Sequence, residues 1–240
     1  MGYDVFCFRG HGNGDPGATG NGYKEVDIAQ SFTSRINELL KNKGLNVLTN
    51  SLSQNNYEVC LLKGQQITKK FGYEIHLNSG GGTGIEILVP SKEKYLSVEQ
   101  EIITNVSRET GLSNRGLKSR NYDTDNFYLR ENGVAQTFTD WYKVIREAWN
   151  LGISLSIIEL CFIDNAADVK KLLDNKELIC RIIANAILRY CEKPLYSLEQ
   201  QKEEQGGILY RVQVGAFKDK ENALKLQKEL INKGYKAIIK

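Results

Sequence analysis

The 240-residue chain reads as an α/β protein, with a twisted, mixed or mostly parallel sheet flanked by helices and a small β-α-β appendage at its C-terminal end. Three observations predict this. Short apolar runs alternate with longer stretches whose apolar residues recur every three or four positions, the signatures of strands and one-faced helices. One run, Ser154 to Ile163, is almost continuously apolar over the length of a buried strand. Past Pro194 the composition turns polar, rich in Glu and Gln, before a second strand-and-helix pattern begins.

In order, Met1 to Phe8 reads as a first strand running into a Gly-rich loop. Asp27 to Lys43 carries Ile28, Phe32, Ile36, Leu39 and Leu40 at helical spacing, and Gly44 stops it. Leu45 to Leu48, Phe71 to His76 and Gly84 to Val89 are strands, the last two separated by a glycine-rich turn. Ser97-Val98-Glu99-Gln100 has the form of a capping box opening a helix that ends near Gly111. After the apolar run, Asn175 to Glu192 presents Leu178, Ile179, Ile182, Ile183, Ala186 and Ile187 as a stripe for the sheet. The expected domains are therefore a main domain over 1–193, a linker over 194–207 and an appendage over 208–240. In the last, Ile208 to Gly215 and Tyr235 to Ile239 read as strands around a helix capped by Asp219 and carrying Ala223, Leu224, Gln227, Leu230 and Ile231.

A hydrophobic fraction of 41% and a charged fraction of 25% fit a folded globular chain and argue against disorder. No run approaches a membrane span, and the N-terminus lacks the basic-then-apolar pattern of a secretory leader, so synthesis in the cytoplasm is expected. The five cysteines show no paired spacing and read as free buried thiols. The appendage holds one arginine and seven lysines against three acids, the linker is acidic, and residues 1–195 sum to zero. The positive excess is thus confined to the tail, where it favours an anionic polymer or simply solvates a helix face. Neither a nucleic acid nor a membrane is expected as a partner.

Only two histidines occur, His11 in Gly10-His11-Gly12 and His76 in Ile75-His76-Leu77-Asn78, each in a glycine-rich, strand-adjacent segment. Either they are unrelated, or they are two ligands of a zinc site that uses every imidazole in the chain. A site of two imidazoles and one carboxylate would need a fixed acid, and Glu25 stands where the first loop enters the first helix, a place that also suits an ordinary first-turn glutamate. Glu159 interrupts the apolar run. Buried without a partner it would cost several kcal/mol, so it is either an exposed edge residue or an acid kept for a metal, a cation or proton transfer.

Taken together, residues from about Tyr3 to Cys191 resemble the zinc-dependent N-acetylmuramoyl-L-alanine amidases of bacterial wall remodelling and phage endolysins. The resemblance is carried by Gly10-His11-Gly12 with Asp15-Pro16-Gly17-Ala18-Thr19-Gly20, by Glu25, by Ile75-His76-Leu77-Asn78-Ser79 and the following Gly-Thr-Gly-Ile-Glu strand, by Arg115-Gly116-Leu117-Lys118, and by Ile158 to Asn165. It departs at Phe8-Arg9, where the family usually has Asp-Pro, and at Lys63, near an expected arginine. The resemblance implies a twisted sheet of six strands, Zn2+ held by His11, Glu25 and His76, and Glu159 as the catalytic acid/base. It implies hydrolysis of the amide between N-acetylmuramic acid and L-alanine in peptidoglycan, the expected partner. The setting expected is a phage endolysin reaching the wall through a pore or after lysis, with a sporulation mother-cell amidase as the alternative. A zinc peptidase and a non-catalytic wall-binding protein are the readings from other classes. Residues Asn132 to Gly152, with Phe138, Trp141, Tyr142 and Trp149, form an apparent extension whose aromatics are expected in the core rather than on a sugar platform. The tail resembles half of a sporulation-related wall-binding repeat. So short a unit cannot bury a core alone, and its open edge suggests a homodimer in which two halves complete one sheet.

Overall fold

The apolar runs pair into a seven-stranded mixed sheet with helices packed chiefly on one face. In the structure, a computed structural model, the described residues are 2–51, 53–54, 58–59, 63–198, 215, 217 and 219–232. The chain forms two units, residues 1–199 and 200–240. The first unit opens with β1 (Val5–Arg9), a small hairpin of β2 (Thr19–Gly20) and β3 (Tyr23–Lys24), α1 (Glu25–Asn42) and β4 (Val47–Leu48). It continues with β5 (Phe71–Asn78), β6 (Ile85–Leu88), α2 (Ser97–Thr110), β7 (Asn114–Arg120) and β8 (Phe127–Leu129). Then come α3 (Lys143–Asn150), β9 (Ser154–Phe162), α4 (Ala166–Asp174) and α5 (Lys176–Tyr190).

The strand order is β4-β1-β5-β9-β6-β7-β8. The first four strands in this order run parallel, β6 lies antiparallel to β9, β7 follows β6 in parallel, and β8 turns back against β7. From β1 the chain moves outward to β4 and then returns to the other side of β1 as β5. Such a reversal opens a crevice at the carboxyl ends of adjacent strands, where α/β sheets place their ligands. The seventh strand, beyond the six implied by the resemblance, is β8, three residues that pair at the sheet edge through Lys118↔Leu129 and Arg120↔Phe127.

The alternation of side chains along each strand separates two cores. Val5, Cys7, Tyr73, Ile75, Ile158 and Leu160 face α1, α2, α4 and α5, while Phe6, Phe8, Leu155 and Ile157 meet Ile145 and Ala148 of α3. Each fully buried Leu or Ile here contributes about 1.5–3 kcal/mol. Cys7, Cys161, Cys180 and Cys191 are buried and free, and Cys60 lies outside the described residues. Tyr196 and Leu198 pack against the larger core, with Tyr196 Oη donating to the Leu39 carbonyl. Among the described residues no helix is long and apolar enough to cross a membrane.

Several elements differ from the expectation. Helix α1 begins at Glu25, two residues early, because the Asn21-Gly22 turn (φ 51° and 82°) closes the β2–β3 hairpin just before it. The capping box at Ser97 does not form: Leu96 is the N-cap, and the Glu99 side chain turns into the core instead. The aromatics of 132–152 are core only in part, Tyr142 alone among them packing against the second core. Phe138, Tyr142 and Trp149 are half-buried and Trp141 is exposed, since α3 buries only Ile145 and Ala148. In the second unit α6 (Lys220–Asn232) follows Asp219, whose carboxylate accepts from the Glu221 amide at 2.9 Å. Its half-buried stripe is Ala223, Leu226, Gln227 and Leu230, with Leu224 exposed. The two tail strands lie outside the described residues.

Glu99 has a measurable consequence. Its Oε1 accepts from Ser156 Oγ at 2.7 Å, but burial dominates and pushes the carboxyl up from 4.5 to about 7. Between these pH values the unfolded chain has released a proton that the folded chain keeps, so stability falls as pH rises and stays low above about 7. By the size of the shift, Glu99→Gln is expected to raise the unfolding free energy near pH 8 by about 3 kcal/mol and to flatten its fall between pH 5 and 7. Denaturant titrations across that range check this, and an unchanged slope would overturn it.

Candidate metal centre

The carboxyl ends of β1 and β5 bring His11, Glu25 and His76 together, with one donor atom from each within 4.8 Å of the others. The group contains no fourth protein donor among the described residues. His76 is the sixth residue of β5 and faces the crevice. His11 follows β1 in the left-handed region (φ 58°), an uncommon conformation for a residue with a side chain. Arg9 stabilises that turn: its Nη2 donates to the His11 carbonyl at 2.8 Å and its Nη1 to Gln30 Oε1 at 3.3 Å. The arginine that departs from the family pattern is thus a buried brace, whereas Lys63 is exposed, 6.0 Å from the Tyr3 ring centroid.

Two glycines make the approach of the rings feasible. A Cβ on Gly10 would lie 2.3 Å from the His76 ring, and one on Gly17 would lie 2.6 Å from both Glu25 Oε2 and His11 Cδ2.

Glu25 is the hub of the cluster. Its Oε1 lies 3.1 Å from His11 Nε2 and 2.9 Å from His76 Nδ1, and accepts the Leu77 amide at 3.0 Å. Its Oε2 accepts the Ala18 amide at 2.9 Å. The first-turn position and the candidate ligand position are therefore the same place. The outer nitrogens of both rings also meet carboxylates: His11 Nδ1 lies 2.8 Å from Asp15 Oδ2, and His76 Nε2 lies 3.3 Å from Glu74 Oε2. Such contacts fix the tautomer and orientation of a metal-binding imidazole. Sequence reading missed Glu74, although its position two residues before His76 on one strand puts both on the same face.

The electrostatics indicate what this pocket requires. Burial favours the neutral form of Glu25, but hydrogen bonds from both histidines outweigh it and hold the carboxyl well below the usual range. The bond to Glu25 raises His11 above its ordinary value. Burial works against the charged form of His76, yet Glu25 and Glu74 together drive its pKa well upward. Without an ion, protons are drawn onto the imidazoles because the surrounding acids demand positive charge. Two imidazole nitrogens and one carboxylate oxygen converging in such a pocket fit a divalent cation such as zinc.

Glu159 stands beside this cluster. It pairs with His76 across β5–β9 and with Glu86 across β9–β6, so three ionisable side chains share one face of three neighbouring strands. Burial pushes its carboxyl up to about 7, the charge of His76 opposes, and Glu25 and Glu86 add to the rise. Its Oε2 is buried without a hydrogen-bond partner among the described residues. Glu86 is quite different: Asn78 Nδ2 at 2.8 Å, Arg115 Nε at 2.6 Å and Lys118 Nζ at 2.7 Å surround it. Its pKa is lowered, the ion pairs overcoming burial. The Arg115-Gly116-Leu117-Lys118 motif thus neutralises one carboxylate of the pair and leaves Glu159 as the one near neutrality.

A model of the N-acetylmuramoyl-L-alanine amidase family matches residues 5–189, and one of the SPOR domain matches residues 194–240. The chain belongs to the N-acetylmuramoyl-L-alanine amidase family, enzymes that hydrolyse an amide of peptidoglycan. It is 28% identical over 249 residues to a sporulation-specific N-acetylmuramoyl-L-alanine amidase of Bacillus subtilis, an alignment covering 98% of this chain and 83% of the relative. It is 26% identical over 243 residues to the amidase CwlM of Bacillus licheniformis, with the same coverage of 98% and 83%. In fold it is similar to the catalytic domain of the amidase CwlV from Bacillus (Paenibacillus) polymyxa, with a TM-score of 0.61 at 19% identity over 80% of this chain and 99% of that one.

Proposed function

We propose that the chain is a zinc-dependent hydrolase of the amide between the lactyl group of N-acetylmuramic acid and L-alanine, with zinc held by His11, Glu25 and His76 and with Glu159 as its catalytic acid/base. The observation that carries this reading is the three-donor cluster, with Glu159 in register beside it. When bound, zinc supplies a Lewis acid for the carbonyl and lowers the pKa of water at the site. Glu159, with a pKa near 7, suits both halves of the proton transfer: it takes a proton from the attacking water and returns it to the departing alanine nitrogen as the C–N bond breaks. Glu86, held ionised by Arg115 and Lys118, is excluded from that duty. Asp15 and Glu74 orient the imidazoles.

The proposed setting is host lysis by a phage endolysin made in the cytoplasm and released to the wall by a pore or by lysis. The sporulation-specific relative favours a second reading, wall cleavage in a mother cell. In either setting the SPOR-like residues 208–240, joined by the linker 194–207, are proposed to bind peptidoglycan and to pair with a second copy.

Mass spectrometry of digested walls tests the reaction. Whole stem peptides are expected; peptide fragments would indicate a peptidase, and intact wall a binding protein. Running vegetative and spore walls in parallel separates the two settings. Glu159→Gln should retain zinc by elemental analysis and lose about 10²- to 10⁴-fold in lysis; turbidity clearing near the wild-type rate would exclude the role. Asp15→Ala and Glu74→Ala should each weaken zinc binding about 10- to 100-fold in competition with a chromophoric chelator. Unaltered affinity in both would remove the orienting role. Sedimentation at rising concentration should show a dimer that is lost on truncation at residue 199, and a strict monomer would refute the pairing.

A further inference from the structure

The strip of surface beyond Glu86 carries aromatic rings that the core does not use. Phe127 is 49% exposed, Trp141 41% and Tyr122 57%, on neighbouring segments of a sheet edge that also exposes Tyr128 and Leu129. Exposed aromatic rings gathered around shared arginines in this way mark a place of contact. The rings are held. The Arg120 guanidinium lies 4.0 Å from the Trp141 centroid and 4.9 Å from that of Phe127, and Arg146 lies 5.1 Å from that of Tyr122. The Trp141 amide donates to the Arg120 carbonyl at 2.8 Å, and the Tyr122 amide to the Thr139 carbonyl at 2.9 Å, which ties both segments to the end of β7.

This strip continues the catalytic face. Lys118 and Arg120 are two apart on β7, Lys118 reaches Glu86, and Glu86 is paired across the sheet with Glu159. Phe127, opposite Arg120, lies on β8, three strand spacings or about 14 Å from β9. A group bound there is not the residue being cut but a more distant part of the same polymer.

We infer that Phe127, Trp141 and Tyr122 form a platform for the glycan strand of peptidoglycan, binding sugars beyond the muramoyl residue whose peptide is removed. The apolar C–H face of a pyranose ring packs on an aromatic ring, and pre-set rings bind it with little ordering cost. The stem peptide fits less well, because the cations along β7 already face acids and Arg146 is held by the Asp140 and Trp141 carbonyls. Here Arg115 and Lys118 are paired with Glu86, and Arg120 with Asp125 at 2.6 Å. This inference rests on reading the chain as a peptidoglycan amidase.

The test is calorimetric binding of a chitin oligosaccharide, a peptide-free β-1,4-linked N-acetylglucosamine chain, to the full-length protein. Wild type should bind it, Trp141→Ala should weaken binding about ten-fold, and Trp141→Tyr should restore most of the loss. Tyr95→Ala, at an 80% exposed ring elsewhere, should change nothing. A wild type that ignores the oligosaccharide, or a Trp141→Ala variant that binds it as well as wild type, overturns the platform. Release of stem peptides from walls is measured alongside; its absence with sugar binding intact would sink the amidase reading and leave the platform standing.

Discussion

The burial of the Glu25 carboxylate at the strand-end crevice is the constraint on which the site depends. An isolated buried carboxylate costs far more than a domain can spare, so the neighbouring structure is arranged to stabilise its charge. Backbone amides from two separate segments, at Ala18 and Leu77, grip its two oxygens, and both imidazoles of the chain converge on one of them. That arrangement requires the β2–β3 hairpin to end at Lys24, the Gly17 turn to leave room, and β5 to present Leu77 in register. A shift of any one of them by a residue would leave the carboxylate buried and unmatched.

The sheet extends this logic across its face. Glu74, Glu159 and Glu86 around His76 would be a costly concentration of acids on a surface of Leu and Ile, and each of the three is resolved differently. Glu74 leans on an imidazole, and Glu86 is enclosed by an amide and two cations. Among the described residues nothing hydrogen-bonds Glu159 Oε2, and burial outweighs the charge of His76, so burial governs its protonation. The difference between an ionised carboxylate and one poised near neutrality therefore comes from the placement of Arg115 and Lys118, not from the acids themselves.

Much of this was legible in the chain because it breaks local rules. A glutamate inside Ser154 to Ile163 stands out against its apolar neighbours, and two histidines among glycines stand out by scarcity. Other features were hidden because they obey rules that tertiary contacts override. Ser97 to Gln100 has the letters of a capping box, yet burying Glu99 against Ser156 removed it. Phe138, Tyr142 and Trp149 have core composition, but α3 is short and covers only part of the second face, so they stay half in water. The hairpin before α1 had a usable signal in Asn21-Gly22. Strand β6 was legible in Gly84 to Val89, whereas β7 and β8 are short or polar enough that only pairing defines them.

The position of β9 has a consequence for how the molecule is made. Strands β5 and β6 are neighbours in sequence, joined by a short glycine-rich turn, yet β9 separates them in the sheet and bonds to both. The slot between them must wait for a strand that leaves the ribosome well after both. Such long-range closure is slow relative to local hairpins and helices. Because Glu159 rides on that inserted strand, both histidines are synthesised well before the glutamate that pairs with His76 across the sheet. The crevice is thus completed late in biosynthesis, and a prematurely terminated chain that ends before β9 lacks both Glu159 and the strand that joins β5 to β6.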